Sequence, residues 1–311
     1  MPQVRLIVNM VDASTTATAA ATPEFKISPS MRIGYVSLNV SDLERSLDFY
    51  QGVLGFRTIE RPSEGKALLS ANGGGGDDGG GSSSRLVELV QAKEKPDIPR
   101  NRKRAGLYHF AILLPERKDL ADMLLNLSEK RDQVYFDGMS DHLVSEAIYI
   151  RDPDFNGVEI YRDRPRSEWK WTDGKIAMAT EPLNTEDLLN AASASGWKAM
   201  PAKTTIGHVH LHVRNLANAL RFYRDQLGLD FTATYPGAYF FSAGGYHHHI
   251  AVNTWLGTEI PAASPDKVGL NHFGIELPNL TEFESTLREM GGSKEGFVAD
   301  PEGIRIRLYS M

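Results

Sequence analysis

No cysteine occurs anywhere in the 311 residues. That absence excludes disulfides, thiolate metal ligands and cysteine nucleophiles, and it suits a reducing cytoplasm. Any metal must be held by histidine and carboxylate side chains. No apolar run approaches the roughly 20 residues that a bilayer-spanning helix needs, so no membrane span is expected. The start of the chain lacks a basic segment followed by a continuous apolar stretch, which argues against a secretory signal. Basic charge is scarce as well: 34 lysines and arginines against 40 acidic residues leave a formal charge of −6. Such a chain is a poor partner for nucleic acid or an anionic membrane, whose phosphates are neutralised by clustered Lys and Arg. Apolar residues, at 41%, are plentiful enough for sizeable cores, and the length suits two globular domains.

What is present, above all, is internal repetition. Ile33-Gly34-Tyr35-Val36-Ser37-Leu38-Asn39-Val40 is followed by Leu43, Leu47, Phe49-Tyr50 and Leu54-Gly55. At a constant offset of 173 the frame returns as Ile206-Gly207-His208-Val209-His210-Leu211-His212-Val213, with Leu216, Leu220, Phe222-Tyr223 and Leu227-Gly228 behind it. Alternating apolar residues mark a strand in each copy, three-to-four spacing marks the helix after it, and Gly55 and Gly228 are its C-caps. A second frame, Gly106-Leu107-Tyr108-His109-Phe110-Ala111-Ile112-Leu113, returns at offset 163 as Gly269-Leu270-Asn271-His272-Phe273-Gly274-Ile275-Glu276. Helices are expected next, over 119–127 and 281–290, then turns at Asp152-Pro153 and Asp300-Pro301 and last strands around Glu159 and Arg307.

The chain therefore divides into four modules, roughly 32–95, 105–163, 204–257 and 268–309, each a strand, a helix and further strands. Modules one and two make a first domain, 31–163, and modules three and four a second, 204–311. Residues 1–30, rich in Ala and Thr, are expected to be a disordered tail, and the Gly/Asp/Ser run 73–84 a flexible insertion in module one. Residues 164–203, with Trp169, Trp171 and a short amphipathic stretch over 185–192, are expected to be an ordered linker.

These frames, with the ending Asp152-Pro153-Asp154-Phe155-Asn156-Gly157-Val158-Glu159, resemble the vicinal oxygen chelate superfamily of glyoxalase I, fosfomycin-resistance proteins and extradiol ring-cleaving dioxygenases. More narrowly, three segments are similar to its catechol-2,3-dioxygenase-like branch. They are Gly207-His208-Val209-His210-Leu211-His212-Val213, Gly244-Gly245-Tyr246-His247-His248-His249-Ile250 and His142-Leu143-Val144-Ser145-Glu146-Ala147-Ile148-Tyr149. The resemblance implies an α+β fold of four βαβββ modules forming two U-shaped mixed sheets. It also implies that paired modules close around a divalent metal, held by His on first strands and Glu on last strands.

Strand alternation can be set against that geometry. Val36/Leu38, Phe110/Ile112, Val209/Leu211 and Phe273/Ile275 form faces that pack under helices, which leaves Tyr35, His109, His208 and His272 at one equivalent position on the opposite, concave faces. Val158/Ile160 and Ile306/Leu308 likewise turn Glu159 and Arg307 to the concave side. Ile250 and Val252 put His247 and His249 on that side and His248 on the other. Pairing modules one with two and three with four would gather Tyr35, Glu88, His109 and Glu159 in one pocket and His208, His249, His272 and Arg307 in the other. Pairing two with three gathers His109, Glu159 and His208, a two-histidine, one-carboxylate set that leaves open positions on Fe(II), with His249 as a candidate fourth ligand or acid–base residue. Both arrangements stay open on the sequence, and the crossed one is preferred because it completes a donor set. His272 is expected to be structural or part of a non-catalytic pocket, His210 and His212 to lie beside the site or at the solvent, and Arg307 to bind an anionic group or a surface partner.

The resemblance implies extradiol cleavage of a catechol-like aromatic diol, with dioxygen as co-substrate and Fe(II) as the leading metal, although Mn, Zn and Ni also suit His and Glu. His249 and His142 are candidates for the base that deprotonates the diol and Tyr149 for a hydrogen-bond donor near bound oxygen. The Asp141–Ser145 segment resembles the dioxygenase strand that carries a catalytic tyrosine, but the aligned position here is Ala147. Two alternatives stand beside this reading: a glyoxalase-type isomerase or lyase acting on a vicinal-oxygen substrate, and a non-catalytic binding or resistance protein. Trp169, Trp171, Tyr235, Tyr239 and Phe240 are candidates for an aromatic pocket or for core packing. A homo-oligomer is compatible with all three readings.

Overall fold

Each repeat opens on a strand: Arg32–Val40, Gly106–Leu113, Thr205–His212 and Gly269–Leu277. In the protein, a computed structural model that describes residues 25–71, 85–93 and 103–310, the apolar alternates of these strands are fully buried. Val36, Leu38, Phe110, Ile112, Val209, Leu211, Phe273 and Ile275 all join one contiguous core drawn from the four modules. Burying such side chains contributes roughly 1.5–3 kcal/mol each, which holds every first strand with its polar alternates on the opposite face.

The first strands also decide which modules meet. An eight-stranded sheet runs in the order Asp230–Tyr235, Ala238–Ser242, Ile250–Asn253, Thr205–His212, Gly106–Leu113, Gly157–Asp163, Ser145–Arg151 and Tyr135–Asp141. It thus joins module three to module two. The seven-stranded sheet joins module four to module one in the same way, through Gly269–Leu277 against Arg32–Val40. Each sheet therefore takes one module from 31–163 and one from 204–311. Module four departs from the expected βαβββ unit: among the described residues only Phe297–Ala299 and Arg305–Ser310 follow its helix, because ten residues separate Glu289 from the Asp300 turn where 22 separate Glu129 from Asp152, too few for two strands.

The helices differ between the two kinds of module. Modules two and four carry regular helices, Arg117–Glu129 with a Glu116/Asp119 capping box and Leu280–Glu289 capped by Asn279. In modules one and three a single α-turn, Leu43–Leu47 or Leu216–Leu220, widens into a π-turn, Asp48–Val53 or Arg221–Gln226. Gly55 and Gly228 then close it at φ of +82° and +77°, where a side chain would be strained. The widened turn aims two tyrosines across to the other sheet. Tyr50 donates to Asp152 Oδ2 at 3.0 Å and Tyr223 to Asp300 Oδ2 at 2.9 Å, tying module one to two and three to four.

The N-terminal expectation is corrected over 25–30. Ile27 is buried and its N–H bonds the Gly228 carbonyl at 3.3 Å, since an apolar residue there covers the end of the module-three helix. Residues 1–24 and the 73–84 run lie outside the described residues. In the connecting stretch, Thr185–Leu189 is helical as expected, Trp169 is buried and Trp171 exposed. No helix among the described residues is long and apolar enough to cross a membrane.

The turn that receives Tyr223 makes stability depend on pH. Burial pushes the Asp300 carboxyl up to about 6, although N–H groups of Ile304 and Glu302 and the Tyr223 hydroxyl hydrogen-bond it. Because the folded state binds this proton more tightly than an unfolded chain with a value of about 3.9, the contribution is fullest below pH ~4 and is lost as pH rises through 6. Urea unfolding of the chelator-treated protein between pH 4 and 7 should show the wild type losing about 2–3 kcal/mol relative to Asp300→Asn. A wild type that gains stability relative to the variant over that range would reverse the sign and refute the assignment.

Candidate metal centre

The antiparallel pair Gly106–Leu113 and Thr205–His212 is not regular. His208 lies opposite Ala111 and His210 opposite His109, with register shifts that leave Gly207 and Tyr108 unpaired as bulges. Gly207 is needed at its bulge, because a Cβ there would collide with the Tyr161 hydroxyl crossing the strand. On the other flank, the parallel strand Gly157–Asp163 sets Glu159 beside Ala111. Ala111 is thus the small central residue, fully buried, with His208 and Glu159 on its two sides and His109 two positions along.

This register brings three donors together. His109 Nε2 and His208 Nε2 each lie 3.0 Å from Glu159 Oε2, and the ligand atoms all fall within 4.8 Å of one another. The imidazole centroids are 5.5 Å apart. His109 is 6% exposed, and His208 and Glu159 2% each. The hydrogen bonding does not satisfy the cluster: His208 Nε2 bonds the carboxylate, but His109 Nε2, at the same distance, and His208 Nδ1 have no hydrogen-bond partner. A buried His109 Nε2 left without a hydrogen bond, beside a carboxylate oxygen that already meets His208 Nε2, is costly in an all-protein site, and the three atoms fit a cation in their midst.

Electrostatics favour a neutral His109 and an ionised Glu159. Burial pushes the His109 imidazole down against the nearby Glu159, which keeps it neutral. Burial alone would raise the Glu159 carboxyl, but the His208 and His109 rings outweigh it and hold it well below the usual carboxylate range. Metal ligation requires neutral imidazole and ionised carboxylate. The set, two nitrogens and one oxygen, is that of a site with open coordination positions.

Around this triad the concave face carries further polar groups. Tyr149 sits opposite Glu159 on the neighbouring strand, its ring 5.5 Å from His109. The Tyr149 hydroxyl is 2.6 Å from His142 Nε2, while His142 Nδ1 is 2.7 Å from the Ala179 carbonyl. Nδ1 must then donate to the carbonyl, so Nε2 accepts from the phenol. Burial, reinforced by the Glu159 charge, holds the Tyr149 phenol well above its ordinary value. His210 and His212 are both buried, bridged by Asn253, which donates to His210 Nε2 at 2.9 Å and accepts from His212 Nδ1 at 2.7 Å. The solvent-exposed alternative for these two is therefore excluded.

The 247–249 cluster differs from the alternation drawn for it. The strand begins only at Ile250, and Gly244 and Gly245, at φ of +62° and +67°, bend the chain before it. His248, not His249, lies against His208, with centroids 4.1 Å apart. His248 Nδ1 meets His247 Nδ1 at 2.7 Å, and His247 Nε2 meets Asp163 at 2.9 Å. His249 instead stacks on Tyr246 and takes the Ala243 N–H on its Nδ1. Among the aromatic candidates, Trp169 contacts His247 and Phe240 contacts His210 and His248, whereas Tyr239 packs on Phe231 and Trp171 is exposed. Tyr235 borders Trp255. Sequence reasoning missed Trp255 and Tyr108, which flank His210 at 5.3 and 5.0 Å. Tyr108 adjoins His109 in the repeated frame, but nothing in the pattern marks Trp255.

The equivalent place in the other sheet holds Tyr35 where His208 stands and Arg307 where Glu159 stands, with Tyr35 Oη 3.0 Å from His272 Nε2. No second His and carboxylate triad of this kind occurs among the described residues.

Comparison with known proteins agrees with this architecture. Residues 32–160 and 205–308 match the Glyoxalase/Bleomycin resistance protein/Dioxygenase superfamily. Over 255 residues the chain is 40% identical to a catechol-2,3-dioxygenase of Bacillus subtilis (strain 168), covering 81% of this chain and 85% of that one. A solved structure of a Bacillus subtilis subsp. subtilis str. 168 protein superposes with a TM-score of 0.57 at 12% identity, covering 92% of this chain and 86% of its own, a likeness of fold alone.

The triad predicts that Glu159→Ala purified from metal-supplemented medium falls from about one divalent ion per chain to near zero by elemental analysis, while far-UV circular dichroism is unchanged. Undiminished occupancy would show that the ion is held elsewhere.

Proposed function

Because the chain belongs to the Glyoxalase/Bleomycin resistance protein/Dioxygenase superfamily, we propose that it is a metal-dependent extradiol-type dioxygenase that cleaves the ring of a catechol-like diol. The observation that carries this reading is the buried donor set of His109, His208 and Glu159, two histidines with a single carboxylate. A glyoxalase-type reaction would call for a second carboxylate at the metal, and among the described residues the group has one. The similarity to a catechol-2,3-dioxygenase supports the same choice.

His109, His208 and Glu159 would hold a divalent ion, Fe(II) in this proposal. Such an ion supplies chelation of two adjacent substrate oxygens and one-electron chemistry with dioxygen. The remaining work falls to side chains. Tyr149 stays protonated and donates to His142 Nε2, so a proton leaving a diol hydroxyl beside Tyr149 can be taken up as the phenol passes its own to His142. His142 is half-buried and hands the proton on toward solvent. His248 occupies the position beside His208 that alternation assigned to His249; His249, with its Nδ1 engaged by Ala243, is left to orient the turn. Tyr108 and Trp255, the latter 46% exposed, offer flat faces to a planar ring entering beside His109. An Fe(II) enzyme without cysteine suits a reducing cytoplasm, and the proposal places it there.

Oxygen uptake with catechol separates the readings. Protein reconstituted anaerobically with Fe(II) should consume about one dioxygen per ring and release a yellow semialdehyde, whereas Zn(II)- or Ni(II)-loaded protein should consume none. An Fe(II)-loaded protein that takes up no oxygen with any diol tested, or a Ni(II)-loaded one that isomerises a hydroxy-carbonyl, would sink the proposal. Tyr149→Phe should lower kcat by about a hundredfold with iron content unchanged. An unaltered kcat would remove Tyr149 and His142 from proton transfer.

A further inference from the structure

We propose that the concave face of the seven-stranded sheet, where modules one and four meet, binds a small organic carboxylate. The positions that hold the triad in the eight-stranded sheet are here Tyr35, His272 and Arg307. A cavity of about 340 Å³ opens over His272 and Arg307, and its walls include Lys66, Glu88, Phe297 and Arg305.

The charges do not cancel. Glu88 is already paired twice, with Lys66 Nζ at 3.2 Å from Oε1 and Arg85 Nη1 at 3.2 Å from Oε2, and Ser37 donates to it at 2.9 Å. The Arg85 guanidinium also lies 3.8 Å above the Tyr35 ring. Two arginines remain. Arg305 bonds the neutral Asn271 side chain at 2.5 Å, and its nearest carboxylate, Asp266, is 3.7 Å away with a side chain 92% exposed. Arg307 has no carboxylate within ion-pair distance among the described residues, and its Nε is buried without a hydrogen-bond partner. A buried guanidinium N–H without an acceptor is a costly arrangement that a bound oxyanion relieves, and the planar fork of arginine matches a carboxylate.

The cavity exceeds what a bare oxyanion needs. Phe297, whose ring lies 5.9 Å from the Arg307 guanidinium carbon, and Val90 supply an apolar wall for the body of an organic acid. Replacing the metal-binding carboxylate by arginine has thus inverted the preference of the repeated site, from a cation to an anion. This inference does not depend on the reaction proposed for the other sheet.

Isothermal titration of the full chain with benzoate and, separately, with inorganic phosphate tests it. Benzoate should bind with one site per chain, in the wild type and equally in Glu159→Ala, which removes the metal centre as a competing site. Arg307→Gln and Arg305→Gln should each weaken it at least about tenfold, and Arg307→Lys should recover part of the loss. Absence of benzoate binding, benzoate binding abolished by Glu159→Ala, or affinity unaffected by both arginine variants would overturn the proposal. Tighter, Arg307-dependent binding of phosphate than of benzoate would overturn its organic part.

Discussion

The antiparallel pairing of Gly106–Leu113 with Thr205–His212 is the contact on which the rest depends. Its two bulges, at Gly207 and Tyr108, set His208 opposite Ala111 and leave His109 two positions away on the same face. A shift by a single residue would turn one of the histidines into the apolar core. The register is held from both sides. Phe110, Ile112, Val209 and Leu211 are locked beneath the helices, and Tyr161 lies across Gly207 with its hydroxyl 2.7 Å from that of Tyr246. Given that register, the parallel strand carrying Glu159 has one place to deliver its carboxylate.

The two sheets are a controlled comparison within one chain. Gly34 repeats the Gly207 bulge, with Tyr309 crossing it as Tyr161 crosses Gly207, and Tyr223 holds Asp300 as Tyr50 holds Asp152. Backbone and core are thus retained while the three concave positions change from His, His and Glu to Tyr, His and Arg. Fold and chemistry are separable here: the apolar alternates specify the sheets, and the polar ones decide what each sheet can hold.

Much of this was legible in the sequence wherever strands are regular. The offsets between repeats and strict alternation placed His109, His208 and Glu159 on concave faces, because a buried apolar face leaves its alternates no other direction. Which modules pair is not local information; adjacency in sequence favours one with two, and the donor set, with the precedent of four-module glyoxalases that the resemblance supplies, argues for two with three. The rest failed where regularity ended. Alternation extended backwards from Ile250 puts His249 on the concave side, but the Gly244-Gly245 turn breaks the pleat there, so His248 takes the place beside His208. The repeat implies a third strand after the helix of module four, but the stretch between Glu289 and Asp300 is too short to make it. Ile27 gives no signal, because a single apolar residue in an Ala- and Thr-rich segment carries no period, and Trp255 meets His210 only through the tertiary fold.

The most direct measurement is anomalous diffraction from crystals grown anaerobically with Fe(II), recorded on both sides of the iron edge. The account predicts one strong peak per chain, within about 2.0–2.3 Å of the His109 and His208 Nε2 atoms and a Glu159 oxygen, and no peak above Tyr35 and Arg307. An iron atom bound by one of the two histidines alone, or seated in the seven-stranded sheet, would contradict it.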